Sequence, residues 1–456
     1  MDNQEAMNRA FGYIERNRQR FLAELKEFLS FPSVSADSDR TDDVKECAIW
    51  LAGHLGSLGL ESRLVETSGH PIVLAHNRNR TGKRAIVYGH YDVQPPDPIE
   101  EWKTPPFEPV VKDGFIYGRG ASDDKGQLFA HVKAVEALLK AGGGLYRDVI
   151  FLFEGEEESG GRSLEQYIAR NRDSLACDFV VVSDTAMYDE KTPAIAYGLR
   201  GIVAFEFELK TAEADLHSGV FGGAVPNAAM AICRILAECK GPGGEVLVDG
   251  FYNDVRPLTE WETRNLRNLA VDADKFAREA GVINAFGQEG FSILERIWAR
   301  PALDINGVWG GYTGEGSKTV IPASASAKVS IRLVPDQKPE KIAALVTDYI
   351  RRMCPKYAEL KFAGPAIAAE PIVFDVNNPA IQAGRRALEC GFGAEPVFTR
   401  CGGSIPVVNT LYGRLGRPVV LMGFGLDSDG AHSPNERFSL DNFYKGIKAS
   451  VCLLGG

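Results

Sequence analysis

Four short runs carry apolar residues with almost no polar alternation: AIVYG at 85–89, VIFLF at 149–153, FVVVS at 179–183 and PVVLMG at 418–423. A strand covered on both faces reads this way, because neither side of its pleat meets water. Helical spacing fills the intervals. Phe11, Ile14, Phe21, Leu22, Leu25, Phe28 and Leu29 share one face of a helix over residues 10–30 that FPSVS at 31–35 ends, and residues 125–140 and 163–171 repeat the pattern. The alternation predicts an α/β class with a largely parallel central sheet flanked by helices.

From about residue 201 the period changes. IVAFEFELKTAEADLH alternates apolar and polar positions as a half-exposed antiparallel strand does, and SASAKVSIRLVP, ending at 335, does the same. A helix pattern at 377–391 then restores the α/β texture. The simplest organisation is one domain interrupted by another: residues 1–200 and 379–456 form the first, and 201–378 form an inserted α+β domain. Residues 250–310 are rich in charge and aromatics and show no clear strand period.

With 456 residues, 45% of them hydrophobic, the chain can build two or three cores. The net charge of −10 is spread along it, with no basic run to favour nucleic acid or an anionic membrane. No apolar run approaches the roughly 20 residues of a membrane span, and the N-terminal residues lack a secretory core, so a cytoplasmic protein is expected. The eight cysteines contain no C-x-x-C pair and lie mostly among apolar neighbours, which predicts reduced thiols without disulfides or a thiolate metal site.

Charge gathers where the apolar runs end, and ligands of open α/β sheets bind beyond those carboxyl ends. AIVYG is followed by His90 and Asp92, whose i, i+2 spacing puts them on one side; an imidazole that binds metal through one nitrogen usually gives its other N–H to an oxygen. YGRGASDDKGQ at 117–127 presents Asp123 after a glycine turn, where it serves equally well as a helix cap. VIFLF runs into Glu154, Glu156, Glu157 and Glu158, like charges that need cations or protons to be tolerated there. Asp184 ends the third run and His432 sits in a glycine-rich loop. His90, Asp123, one of the glutamates, Asp184 and His432 therefore form a candidate ligand set, with Zn²⁺ favoured and Mn²⁺ or Co²⁺ as alternatives. Two metals sharing a carboxylate would account for their number.

GHYDVQP, EWKTPPFEPVVKDGFIYGRGASDDKG, EGEEESG, VVSD, DLHSGVFGGAVPNA and GAHSPNE, in this order over nearly the whole chain, resemble the co-catalytic zinc peptidase family of carnosinases, aminoacylases, succinyl-diaminopimelate desuccinylases and carboxypeptidase G-like enzymes. DLHSGVFGG, SKTVIPASASAKVSIRLVP and RCGGSIPV are most similar to its cytosolic carnosinase-type dipeptidases. The resemblance implies that His90 and Asp184 hold one metal, Glu158 and His432 the other, and that Asp123 bridges them before a cis peptide to Asp124. Asp92 would clamp His90, and Glu157 would be the general base.

The inserted domain would be a lid and dimerisation domain. It would carry His217 to the partner subunit's site in a homodimer, with Arg332, Thr319 and Ser404 receiving the substrate's carboxylate end. The implied activity is hydrolysis of dipeptides or short peptides with a free C-terminal carboxylate, by a water activated between the metals. The alternative on the same centre is hydrolysis of N-acyl or N-carbamoyl amino acids. A non-catalytic metal-binding protein would require a lost ligand or base, and none is missing.

Overall fold

In the structure, a computed structural model describing residues 3–77, 83–142, 144–269 and 271–455, the four apolar runs are adjacent strands. Asp148–Glu154, Arg84–His90, Phe179–Val182 and Val419–Leu421 lie side by side in that order, and all three pairings are parallel. The chain forms two compact units by contact: Met1–Tyr197, Phe374–Thr399 and Val407–Gly456 make the first, and Gly198–Val373 with Arg400–Pro406 make the second.

The sheet of the first unit keeps these parallel strands at its centre and adds antiparallel neighbours on both sides. Glu61–Val65 and Ile72–His76 form a hairpin that pairs antiparallel with Asp148–Glu154, and Ala194–Leu199 runs antiparallel beside Val419–Leu421. A short connection can only join antiparallel neighbours, so the hairpin sets the direction of that edge. Its outer strand, ESRLV, is too polar to read as a covered strand, and none of its residues is buried.

The helix Lys125–Ala137 packs on Arg84–His90 and against the helices Asn3–Leu29 and Leu440–Leu454. Every one of its residues is buried, which obliges each polar side chain to find a partner. Lys125 Nζ donates to the carbonyls of Phe31 (2.8 Å) and Phe28 (3.2 Å), and Lys133 Nζ meets Glu136 at 2.9 Å and Glu24 at 2.5 Å. Gln127 accepts from the N–H groups of Phe424 and Gly425 and donates to the Ser122 carbonyl.

The second unit is built on an antiparallel sheet in the order Ala302–Gly310, Ser324–Leu333, Gly201–Lys210, Glu359–Ala369. Val203, Phe205, Phe207 and Leu209 alternate with residues turned outward. They share a core with Val329 and Ile331 and with Ile232, Ile235, Ile342 and Val346 of the helices Ala228–Glu238 and Pro339–Met353. Among its described residues the segment 250–310, which has no strand period, holds three short helices before the strand Ala302–Gly310. Two of them, Glu260–Asn268 and Ile293–Trp298, begin with capping boxes at Thr259/Glu262 and Ser292/Glu295.

One cysteine expectation is corrected. Cys390 and Cys452 form a disulfide, because the helices Pro379–Phe392 and Leu440–Leu454 pack together and bring their Cα atoms to 6.6 Å, within bridging range. No other disulfide forms among the described residues. Among the described residues no helix is long and apolar enough to cross a membrane.

His131 lies inside the helix Lys125–Ala137, fully buried, with Nε2 2.7 Å from Ser183 Oγ and Nδ1 2.9 Å from Ser450 Oγ. Burial pushes its pKa down to about 3. A histidine neutral in the fold and protonated in the unfolded chain contributes stability above its unfolded pKa and loses it as pH falls toward the folded value. Its share should therefore disappear between about pH 6.5 and pH 3, by at most about 1.4 kcal/mol per pH unit. Urea unfolding of the wild type and His131→Gln at several pH values checks this: the gap between the two should narrow as pH drops.

Candidate metal centre

The parallel strands deliver their charged ends to one place. His90 is the last residue of Arg84–His90, and Asp184 follows Phe179–Val182 by two residues. Glu157 and Glu158 lie in the turn after Asp148–Glu154, and Asp123 in the loop before the helix Lys125–Ala137. His432 comes from the loop after Val419–Leu421, where its backbone takes φ +60°. That left-handed conformation is uncommon for a side-chain-bearing residue and turns the imidazole out of the chain's path.

Asp123 is the centre of the cluster. Its Oδ1 lies 3.1 Å from His90 Nε2 and its Oδ2 lies 2.8 Å from His432 Nε2, so each carboxylate oxygen faces a different imidazole. Potential ligand atoms of His90, Asp123 and Asp184 lie within 4.8 Å of one another, as do those of Asp123, Glu158 and His432, and those of His90, Glu157 and Glu158. His432 Nε2 is 3.3 Å from Glu158 Oε1, a buried oxygen with no hydrogen bond. The peptide between Asp123 and Asp124 is cis.

The surrounding side chains orient these groups. His90 Nδ1 is 3.1 Å from the Asp92 carbonyl and 3.5 Å from Asp92 Oδ1. Asp92 Oδ2 accepts from Ser35 Oγ at 2.6 Å and from the Glu158 N–H at 3.0 Å, so one aspartate addresses both His90 and Glu158. Gln94 Nε2 donates to Glu158 Oε2 at 2.8 Å, and Asp124 Oδ2 accepts from the His90 N–H at 3.3 Å.

Of the other two glutamates in the run, Glu154 is buried and accepts from Tyr88 Oη at 2.7 Å, and Glu156 accepts from the Ser163 N–H. The contacts of Ser35, Gln94 and the Asp124 side chain escaped the sequence reading, although Gln94 and Asp124 lie inside the stretches GHYDVQP and GASDDKG. A motif does not state which of its side chains turn inward.

Electrostatics show what the cluster requires. Burial raises Asp184 to about 7, with the Asp123 charge adding to it and His90 opposing. Burial also raises Glu157 to about 9, His90 opposing and Asp184 and Glu158 adding. The Asp123 and Glu158 carboxylates beside its ring lift His432 to about 10 against the effect of burial. Burial opposes charge on His90, yet its bonds to Asp123 and Asp92 carry it well above the ordinary histidine range. Without a cation, the site relieves its carboxylate repulsion only by holding protons. Oxygen and imidazole donors without thiolate, an orphaned glutamate oxygen and one shared aspartate fit divalent metal.

The four remaining candidates belong to the second unit. Arg332 Nη1 donates to Ser404 Oγ at 3.0 Å, and Ser404 Oγ donates to the Arg200 carbonyl at 2.6 Å. His217 pairs in register with Val320 and is exposed, its Nδ1 accepting from the Gly219 N–H; the neighbouring Ser218 N–H donates to the Thr319 carbonyl. The structure thus joins Arg332 with Ser404, and sets His217 beside the Thr319 segment.

The model of peptidase family M20/M25/M40 matches residues 86–455. The Cys-Gly metallodipeptidase dug1 of Schizosaccharomyces pombe is 32% identical over 97% of this chain and 96% of its own length. Among solved structures, human carnosine dipeptidase 1 aligns with a TM-score of 0.86 at 30% identity, over 98% of each chain. The M20 family metallo-carboxypeptidase Sso-CP2 of Sulfolobus solfataricus aligns with a TM-score of 0.85 at 35% identity, over 95% of this chain and 98% of that one. With the site just described, these likenesses define a metallopeptidase. The chain belongs to peptidase family M20/M25/M40.

Proposed function

We propose that the protein hydrolyses the amide bond of dipeptides or short peptides bearing a free C-terminal carboxylate, with two divalent ions, zinc preferred, at the strand-end cluster. The observation that carries this reading is the pair of Asp123 oxygens, each facing its own imidazole. His90 and Asp184 would hold one ion, Glu158 and His432 the other, and Asp123 both. When bound, the ions acidify water and polarise the scissile carbonyl.

The protein groups do the rest. Glu157 takes the proton of the attacking water and returns it to the departing amine. Burial among carboxylates raises its pKa, and divalent ions held by those carboxylates would return it toward the ionised form that a base needs. Asp92 holds the His90 ring and, through the Glu158 N–H, the second ligand.

At the other end of the substrate, Arg332 offers a guanidinium that pairs with no carboxylate among the described residues, and Ser404 fixes its direction. A substrate carboxylate is the natural partner of such a fork. Thr319 and His217 complete this reading, His217 as the contact to the substrate carbonyl oxygen from the partner subunit of a homodimer. The names of the curated relatives, a Cys-Gly metallodipeptidase and Beta-Ala-His dipeptidases, support dipeptides over N-acyl amino acids.

Glu157→Gln should keep its metal and lose roughly 10²- to 10⁴-fold in turnover, measured by release of free amino acids; normal hydrolysis would remove Glu157 as the base. His432→Ala should lose one of two metal equivalents on elemental analysis, and full retention would remove it as a ligand. Arg332→Met should lower kcat/KM for free dipeptides by about 10- to 100-fold while leaving C-terminally amidated peptides, already poor substrates, almost unchanged. A panel of dipeptides against N-acyl amino acids separates the proposed substrate class from amidohydrolysis.

A further inference from the structure

The loop that presents Asp123 is folded around a carboxylate that is not part of the cluster. Glu436 is fully buried, and four donors from residues 119–123 converge on its two oxygens. Oε1 accepts from the N–H groups of Ser122 (2.8 Å) and Asp123 (3.0 Å), while Oε2 accepts from the Gly120 N–H and from Arg119 Nη1, both at 2.9 Å. Gly120 stands at φ +83°, a conformation that turns its N–H toward that oxygen and is open to glycine at little cost. The Gly118 N–H adds a bond to the Glu436 carbonyl at 3.0 Å.

The same residue belongs to the loop that presents His432, four positions earlier in the chain. Directly after Glu436 the strand Arg437–Ser439 pairs antiparallel with Phe115–Tyr117, directly before the Asp123 loop. Asn435, at φ +64°, bonds the Lys103 N–H and the Glu101 carbonyl and so fixes the approach to Glu436. The two loops are therefore stitched at one buried point. An ionised carboxylate only accepts hydrogen bonds, so it satisfies four convergent donors that an amide of the same shape cannot.

We propose that Glu436 is a positioning residue that sets the separation of Asp123 and His432, and thereby the metal affinity of the centre, without touching metal or substrate. The inference rests on reading Asp123 and His432 as ligands. Replacing the carboxylate by an amide turns an NH₂ group toward two N–H donors on one side, and the Asp123 loop must move away from the loop that carries His432.

The test is Glu436→Gln and Glu436→Asp in the full chain, with folding monitored by circular dichroism and thermal melting. Zn²⁺ and Co²⁺ are titrated into the metal-depleted protein, and the visible spectrum of the cobalt-loaded form is recorded. Metal affinity should fall by about 10- to 100-fold in Glu436→Gln, with a shifted cobalt spectrum and a lower kcat at little-changed KM. Glu436→Asp, whose carboxylate is one methylene short of both donor pairs, should fall between the wild type and the Gln variant.

A folded Glu436→Gln with wild-type affinity and an unshifted cobalt spectrum overturns the inference. If the Gln variant does not fold, the Asp variant decides in the same way: lowered affinity with a shifted spectrum supports the proposal, and wild-type values overturn it. His432→Ala run alongside separates the two levels of failure. Loss of metal there with none in the Glu436 variants removes only the positioning role, whereas full retention in His432→Ala removes the ligand reading beneath it.

Discussion

Mutual repulsion among buried carboxylates is the constraint around which the first unit is arranged. Asp92, Asp123, Asp124, Glu157, Glu158 and Asp184 crowd the carboxyl ends of parallel strands, where the sheet's own apolar layers exclude most of the water that would screen them. Two imidazoles offset only part of that charge. The geometry resolves the rest by sharing: Asp123 divides its oxygens between His90 and His432, and Asp92 serves His90 with one oxygen and the Glu158 backbone with the other. Divalent cations would let every carboxylate ionise at once. The metallopeptidase chemistry of the family and the folding of this sheet edge thus answer the same electrostatic demand.

Much of the scaffold could be read because burial leaves a periodic trace. Strands covered on both faces appear as unbroken apolar runs, and the four that bear the cluster were visible as such. The second unit's strands Gly201–Lys210 and Ser324–Leu333 were equally visible because one face alternates with the other. Where exposure replaces burial, the trace fades. The edge strand Glu61–Val65 has no buried residue and carries no such signal, so this antiparallel edge leaves no trace in the sequence. The short helices between 259 and 298 draw their definition from caps such as Thr259/Glu262 and from the buried ion pair of Glu262 with Arg400, interactions to which a search for strand period is blind.

The cluster divides along similar lines. Residue types that suit metal, at the ends of apolar runs for His90, Asp184 and the glutamates and in glycine-rich loops for Asp123 and His432, gave a candidate set whose ligand atoms lie within reach of one another, and the resemblance singled out Glu158 among the glutamates. The second layer was not legible, because its identity depends on which way a loop turns. Nothing in GASDDKG says that Ser122 and Asp123 point their N–H groups at a glutamate more than 300 residues later. The disulfide between Cys390 and Cys452 was hidden for the same reason: 62 residues separate two cysteines that only helix packing brings together.

The second unit interrupts the chain between Asp184 and His432, two members of one cluster, at a cost that its own ends keep small. Gly198 and Val373, where it begins and where its longer segment closes, are register partners in an antiparallel pair. An insertion whose ends are already clasped spares the host most of the loop-closure entropy that a flexible segment of equal length would demand. The gap it leaves in the first unit is set by the width of a strand pair, not by the amount of protein inserted. The interrupting unit could therefore grow, shrink or diversify in evolution while the spacing of the cluster it interrupts stayed fixed.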